Sequence, residues 1–353
     1  MRIGIDADPV GRDGSGNETY LRGLIGAMDG IAESSDRFVL FGSNTEALAG
    51  LTARQTEIVG TPRGLRGELG LGLKMQKRKL DVAIAHYNLP LGLKAPVATI
   101  VHDVAFLKVP DTFKTLEAAR LRLSIKRSVS CSAATVTVSE FSKSELLEAY
   151  PRLSADRVVV APNAAGSQYF DRVGPEDLAD IRRRYGLPDR FVLAVGNIQP
   201  RKNLARTALA VGRCGIPLVV VGRRHGKALE GPIASAQWLG YVPGYDLPGI
   251  YQLCTVFCYV SLYEGFGLPV VEALASGAVV VTSSTSALPE VAGPAGILAD
   301  PNSVESIAGA IDQALSDEAE RTRLQHQGPV QAHRFSWESS GRLVLERLRS
   351  IAP

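Results

Sequence analysis

Several things are scarce in this chain, and each scarcity excludes a class of function. It has four cysteines, Cys131, Cys214, Cys254 and Cys258, at spacings that match no metal-binding pattern. Cys254 and Cys258 flank an apolar run and read as buried thiols, which suits a reducing cytoplasm. Neither sign of charge dominates: 39 Lys and Arg stand against 36 Asp and Glu, a net +3, so nothing calls for a nucleic-acid partner. The small excess lies in residues 1–165, with 21 basic and 18 acidic side chains. No apolar stretch approaches the ~20 residues needed to span a membrane. Residues 1–5 start at once as a strand rather than as a leader, so a cytoplasmic location is expected, with peripheral membrane contact left open. There is no G-x-G-x-x-G dinucleotide fingerprint, no short internal repeat and no low-complexity tract.

What is present is ordinary in amount and informative in order. Hydrophobic residues make up 45% of the 353 and charged residues 21%, as in soluble globular proteins. The length exceeds one compact core and suits two domains. Short apolar runs alternate with longer helical patterns throughout. The strand candidates are 2–5, 38–41, 82–85, 97–101, 135–138 and 158–160, then 191–195, 217–221, 256–260 and 278–281. Continuous rather than alternating apolar runs imply strands covered on both faces, hence parallel α/β sheets. The set divides near 162–189, which is polar and rich in turn residues. The expectation is two Rossmann-like domains, 1–165 and 166–336. The tail, 337–353, is an amphipathic helix carrying Leu343, Leu345 and Leu348.

The most specific stretch is Y-E-G-F-G-L-P-V-V-E-A-L-A-S-G, residues 263–277. Glu264 and Glu272 are separated by seven residues. Between them lie a glycine turn, Gly265-Phe266-Gly267, then Leu268 and a proline suited to a first helical turn, Pro269. Gly277 is placed to end the helix. With strands before and after, the unit reads as strand, glycine turn, helix, strand. Free N–H groups at such a helix start suit a diphosphate. A carboxylate one turn into the helix is costly unless something polar meets it, and the hydroxyls of a ribose or hexose are candidates.

Other groups sit at comparable places. Arg201 and Lys202 follow the strand 191–195, and ligands of open α/β sheets bind at the carboxyl ends of strands. Adjacent cations there suit phosphate. Gly14 and Gly16 lie in a loop that feeds a helix and could bring N–H groups near phosphates or an acceptor, while Ser15 and Asn17 could cap that helix. His102 ends a buried strand, with Asp103 placed to orient it, and His86 could face a cleft. The basic stretches 74–79 and 120–127 suit a solvated helix face, or a surface that meets anionic lipid or a diphosphate-linked acceptor.

Residues 263–277 resemble the E-x7-E signature of retaining glycosyltransferases of family 4, which have the GT-B fold. G-N-I-Q-P-R-K-N-L, 196–204, resembles their phosphate-binding segment, and G-Y-V-P, 240–243, the segment whose backbone meets the nucleotide base, through Val242. Pro162-Asn163-Ala164 departs from the family's P-N-G. The resemblance covers nearly the whole chain, with its specific motifs in 191–294. It implies two Rossmann-like domains facing across a cleft, with the final helix returning to the first. It implies a nucleotide diphosphate sugar as donor substrate and a glycan, glycolipid or small molecule as acceptor. Arg201, Lys202 and the N–H groups of Gly265, Phe266, Gly267 and Leu268 would meet the diphosphate, Glu272 the ribose and Glu264 the hexose. The glycine loop of Gly14 and Gly16 would face the diphosphate, and His102 the transferred sugar.

The same motifs most resemble bacterial mannosyltransferases that use GDP-mannose for polysaccharides, with a UDP-sugar enzyme of a natural-product pathway as the alternative. No Asp-x-Asp metal motif is read along the chain, so no metal requirement and no separate cofactor are expected. A nucleotide-sugar epimerase of the same fold, which would need no acceptor, is the reading from another class. A dinucleotide-dependent oxidoreductase is disfavoured by the missing glycine fingerprint.

Overall fold

The computed structural model describes residues 1–12, 16–53, 56–61, 68–197, 199–223 and 231–353. The chain forms two compact units: Met1–Asn163 with Ser336–Pro353, and Ala164–Phe335. Among the described residues, no helix is long and apolar enough to cross a membrane.

The first unit is built on β1 (Arg2–Asp6), β2 (Arg37–Gly42), β3 (Glu57–Gly60), β4 (Val82–His86), β5 (Val97–Ile100), β6 (Ala134–Thr137) and β7 (Val158–Val160). They pair in parallel in the order β3-β2-β1-β4-β5-β6-β7. β4, β5 and β6 are buried at every residue, which is why they read as unbroken apolar runs. The order reverses between β1 and β4, so loops leaving those two strands part to opposite sides.

The last helix, Trp337–Ile351, belongs to this unit and lies against the helix Gly16–Ile31. The Tyr20 and Trp337 rings meet edge-on at 5.8 Å. Ser340 Oγ donates to the Pro162 carbonyl at 2.7 Å, and Arg349 pairs with Asp36 at 3.1 Å. The inward stripe is Gly341, Val344, Leu345 and Leu348. Leu343, expected on the apolar face, points outward instead, because it falls off the stripe of helical spacing.

The second unit is built on β8 (Val192–Val195), β9 (Leu218–Val221), β10 (Gln237–Gly240), β11 (Val256–Tyr259), β12 (Val280–Ser283) and β13 (Gly296–Ala299). All pairs are parallel, in the order β10-β9-β8-β11-β12-β13. The core on one face joins Val192, Val220, Val256 and Val281 to Val211, Ile307, Ile311 and Leu324 from covering helices. Here the order reverses between β8 and β11. The two loops leaving those strands flank the crevice where open α/β sheets take their ligands.

Candidate functional site

The loop after β8 is a tight turn, Pro200–Lys202, that ends on Asn203. Asn203 has φ 58°, a left-handed conformation that asparagine tolerates better than most residues. Its buried side chain shows why it stays there: Nδ2 donates to the carbonyls of Val260 at 3.0 Å and Pro301 at 2.7 Å. Leu262 N donates to the Arg201 carbonyl at 2.8 Å. The loops after β8 and β11 are thereby tied together, and Arg201 and Lys202 are brought to Glu264.

That carboxylate joins both cations. Lys202 Nζ donates to Glu264 Oε1 at 2.7 Å, and Arg201 Nη1 lies 2.9 Å from Oε2. Tyr259, the last residue of β11, donates its hydroxyl to Oε1 at 3.1 Å and receives a bond from Lys202. Arg201 also donates to the Tyr263 carbonyl at 3.1 Å. Burial alone would raise the Glu264 pKa, but Arg201 and then Lys202 outweigh it and hold the group down at about 2. The three side chains carry one net positive charge, at a switch point and beside a helix start.

The glycine turn that follows is shaped by Gly267, at φ 108°, where a Cβ would lie 2.5 Å from Leu288 Cδ2. The helix Leu268–Ala275 begins there, with Pro269 in its first turn, and Gly277 at φ 74° follows its end. Phe266 turns its ring inward, edge-on to Phe335 at 5.2 Å. Of the groups expected at a diphosphate, Phe266 therefore has only its backbone to offer, as do Gly265 and Gly267, while Leu268 is half-buried.

Glu272 is buried in that helix, and the polar partner its position demands is a tyrosine. Tyr251 OH donates to Glu272 Oε2 at 3.2 Å, and the Tyr169 and Tyr251 rings pack at 6.0 Å. Burial raises the Glu272 pKa to about 7, against the hydrogen bonds of Tyr251 and Tyr169, which lower it. Two carboxylates on one turn-helix unit are thus driven to opposite ends of their range, one by cations and the other by burial. Val242 is buried in the loop beyond the edge strand β10.

In the first unit, the expected residues sit at the carboxyl ends of β1, β4 and β5. Gly14 lies outside the described residues. Gly16 opens the helix Gly16–Ile31, and a Cβ there would meet no atom within 4 Å among the described residues. His102 is buried just beyond β5, and its Nε2 is 3.0 Å from Nε2 of His86, the last residue of β4. One ring must donate and the other accept. Burial pushes His86 down to about 4, and burial followed by His86 pushes His102 well below the usual imidazole range. Both rings are neutral at pH 7, with Nδ1 of His102 as the nitrogen not used by this pair. Asp103 Oδ1 accepts from the backbone N–H of Ala105 at 2.9 Å.

An Asp-x-Asp pair does occur, as Asp6-Ala7-Asp8 at the end of β1. Asp8 pairs with Arg12 at 2.8 Å, and burial pushes Asp6 up to about 6. Among the described residues, no group of three or more His, Cys, Asp or Glu is arranged to hold a metal ion.

Paired cations at a sheet switch point, a helix N-terminus and a second carboxylate one turn along form an arrangement chemically suited to an anionic, polyhydroxyl ligand. Comparison with known proteins gives it a class. The family described as Glycosyl transferases group 1 matches residues 179–331. Over 272 residues, 72% of this chain and 70% of the other, the sequence is 34% identical to the O-antigen chain mannosyltransferase B of Escherichia coli. It is 30% identical over 230 residues to the serotype-specific mannosyltransferase WbdA of Escherichia coli, spanning 60% of this chain but only 28% of that longer protein. Among solved structures, a glycosyltransferase from Rickettsia africae ESF-5 superposes with a TM-score of 0.76 at 17% identity, covering 99% of this chain and 98% of that one. Anabaena Alr3699/HepE in complex with UDP and glucose gives 0.76 at 17% identity, covering 99% and 100%. The fold is that of the GT-B glycosyltransferases. The chain belongs to the group 1 glycosyl transferases and is a glycosyltransferase.

Proposed function

We propose that the protein is a retaining mannosyltransferase that moves a hexose from a nucleotide diphosphate sugar to a hydroxyl of a glycan or glycolipid, with GDP-mannose as donor. The observation that carries this reading is the pairing of Arg201 and Lys202 with Glu264 at the second unit's switch point. As the bond from the anomeric carbon to the phosphate oxygen breaks, negative charge collects on the departing diphosphate. Arg201, Lys202 and the N–H groups from Gly265 to Leu268 would stabilise it, and preorganised charge of this kind is a large term in catalysis. Glu272 would accept from the ribose hydroxyls once Tyr251 yields, Glu264 would orient the hexose, and the Val242 backbone would meet the base. Gly14 and Gly16 would serve the diphosphate, and His102 a hydroxyl of the transferred sugar. The cations take the part a metal plays elsewhere, so no metal is required. Retention rests on the E-x7-E resemblance, and mannose on the activity named for the Escherichia coli relatives.

A thermal-shift panel of GDP-, UDP- and ADP-sugars tests the donor. A ligand at about 100 times its Kd stabilises by about 2.7 kcal/mol, so the true donor should stand out. GDP-mannose is expected to give the largest shift. A shift confined to UDP-sugars would move the assignment to the natural-product alternative. Release of a different sugar nucleotide without acceptor would replace transfer with epimerisation.

A further inference from the structure

The hydrogen bond between His86 and His102 has a direction, and the surroundings choose it. β1, β4 and β5 are neighbours in that order, so the segments leaving them bring Asp8, His86 and His102 together with His86 in the middle. His86 Nε2 faces His102 at 3.0 Å, which leaves His86 Nδ1 for the β1 side. Both rings are neutral, so the bond between them carries a single proton and sets two tautomers at once. If His86 gives the proton, His102 Nδ1 carries a hydrogen. If His102 gives it, His102 Nδ1 is a bare acceptor.

Asp8 decides between the two. Burial holds His86 neutral, and the Asp8 carboxylate pulls the other way, towards the protonated ring. On a neutral ring the same field favours the tautomer whose N–H faces the carboxylate, which is Nδ1–H. Asp8 is itself held by Arg12 at 2.8 Å. His86 Nε2 is then the acceptor of the pair and His102 Nε2 the donor.

The backbone keeps His86 in this place. Asn88 N donates to the His86 carbonyl at 2.7 Å and closes a three-residue turn around Tyr87, whose φ is 60°. A bulky residue at positive φ is strained, and such strain collects at functional sites. Tyr87 N donates to the Ile100 carbonyl at 2.9 Å, which ties the turn to β5. The Tyr87 ring stands edge-on to His86 at 4.7 Å, and Tyr20 edge-on to His102 at 4.8 Å. Each imidazole therefore has an aromatic wall. We infer that His86 is a positioning residue: it accepts from His102 Nε2–H and so keeps His102 Nδ1 as a hydrogen-bond acceptor, matched to a hydroxyl of the transferred sugar. This rests on the reading that His102 meets that sugar, and adds the part its ring plays.

Long-range proton–nitrogen NMR correlation on the full chain at neutral pH reads the tautomers directly. With five histidines present, each signal can be assigned by substitution. The expected result is a proton on Nδ1 of His86 and on Nε2 of His102, and the reverse pattern would overturn the inference. His86→Leu removes the acceptor, so His102 should shift towards its Nδ1–H form. Its kcat/KM for a hexosyl donor should fall by about 5- to 150-fold, the range for one buried hydrogen bond left unmade. Affinity for the free nucleoside diphosphate should not change. His86→Gln, whose amide oxygen can accept in place of Nε2, should recover most of the loss, which a merely structural role would not give. A His86→Leu variant with normal turnover beside an impaired His102→Ala would overturn the inference alone. Normal turnover in both variants would overturn the role of His102 on which it rests.

Discussion

Lys202 Nζ lies 2.7 Å from Glu264 Oε1, and that contact joins the loop leaving β8 to the loop leaving β11. With Arg201 on the other carboxylate oxygen, the two cations are aimed before any ligand arrives. Long cationic side chains lose rotamer freedom when they are fixed, and here that loss is taken during folding. An incoming anion would find its partners already placed.

Lys202→Ala should therefore fold, since Arg201 still satisfies Glu264, and should turn over poorly. Removing one preorganised charge contact typically costs about 100–1,000-fold in rate. Steady-state assays with a hexosyl donor, alongside a melting curve, decide it. A folded variant with near-normal turnover would remove Lys202 from the chemistry.

Glu264→Gln should behave in the opposite way, because it strands two largely buried cations. Breaking a buried pair by removing one partner costs about 3–5 kcal/mol. The wild-type carboxyl is held at about 2 instead of 4.5, so its contribution is fully present above pH 4.5 and disappears as pH falls from there towards 2. The variant should lose stability at neutral pH and show a flatter acid limb. Added nucleoside diphosphate should raise its melting temperature more than that of wild type, by re-pairing the cations. Equal shifts in both proteins would mean that the cations do not meet the diphosphate.

Glu272 carries the reverse linkage. Its folded pKa of about 7 exceeds 4.5, so the folded state holds an extra proton between those values and stability falls as pH rises through them. Glu272→Gln should be more stable than wild type at pH 8 by about 1–3 kcal/mol, and near parity at pH 4.5. If the carboxylate also accepts from ribose, the same variant should bind nucleoside diphosphate more weakly, most clearly above pH 7. Denaturant melts at the two pH values, with calorimetric titration, separate the two effects. A variant no more stable at pH 8 would refute the buried, proton-holding carboxyl.

Excess chelator should leave transfer intact, because Arg201 and Lys202 supply the charge a divalent ion would. Activity that is lost on chelation and restored by Mg²⁺ or Mn²⁺ would show that the cations do not neutralise the diphosphate alone.

The interior of both sheets could be read directly from the chain, and so could one edge, β7, but the other three edges could not. β3, β10 and β13 were not foreseen, and all three are edge strands. An edge strand is paired on one side only and is less deeply covered, so no apolar run announces it, as Glu57–Gly60 and Gln237–Gly240, with one buried residue between them, show. The E-x7-E stretch was legible because its turn and helix are local. The partners that set its chemistry were not. Tyr251 reaches Glu272 across 21 positions, and Arg201 and Lys202 reach Glu264 across more than 60. Asn203 had a faint signal, as an asparagine just after a proline turn. The pairing of His86 with His102 depends on β4 and β5 being neighbours, which no spacing along the chain reveals.

The return of the helix Trp337–Ile351 to the first unit makes the second unit, Ala164–Phe335, an insertion within the chain of the first. It could be exchanged as a single uninterrupted cassette, cut at both ends, leaving the first unit's two segments to reassociate around the Tyr20–Trp337 contact. The first unit has no such freedom. A stop codon near residue 336 would spare every strand of both sheets yet unroof the helix Gly16–Ile31, so damage from a C-terminal deletion should surface at the opposite end of the gene.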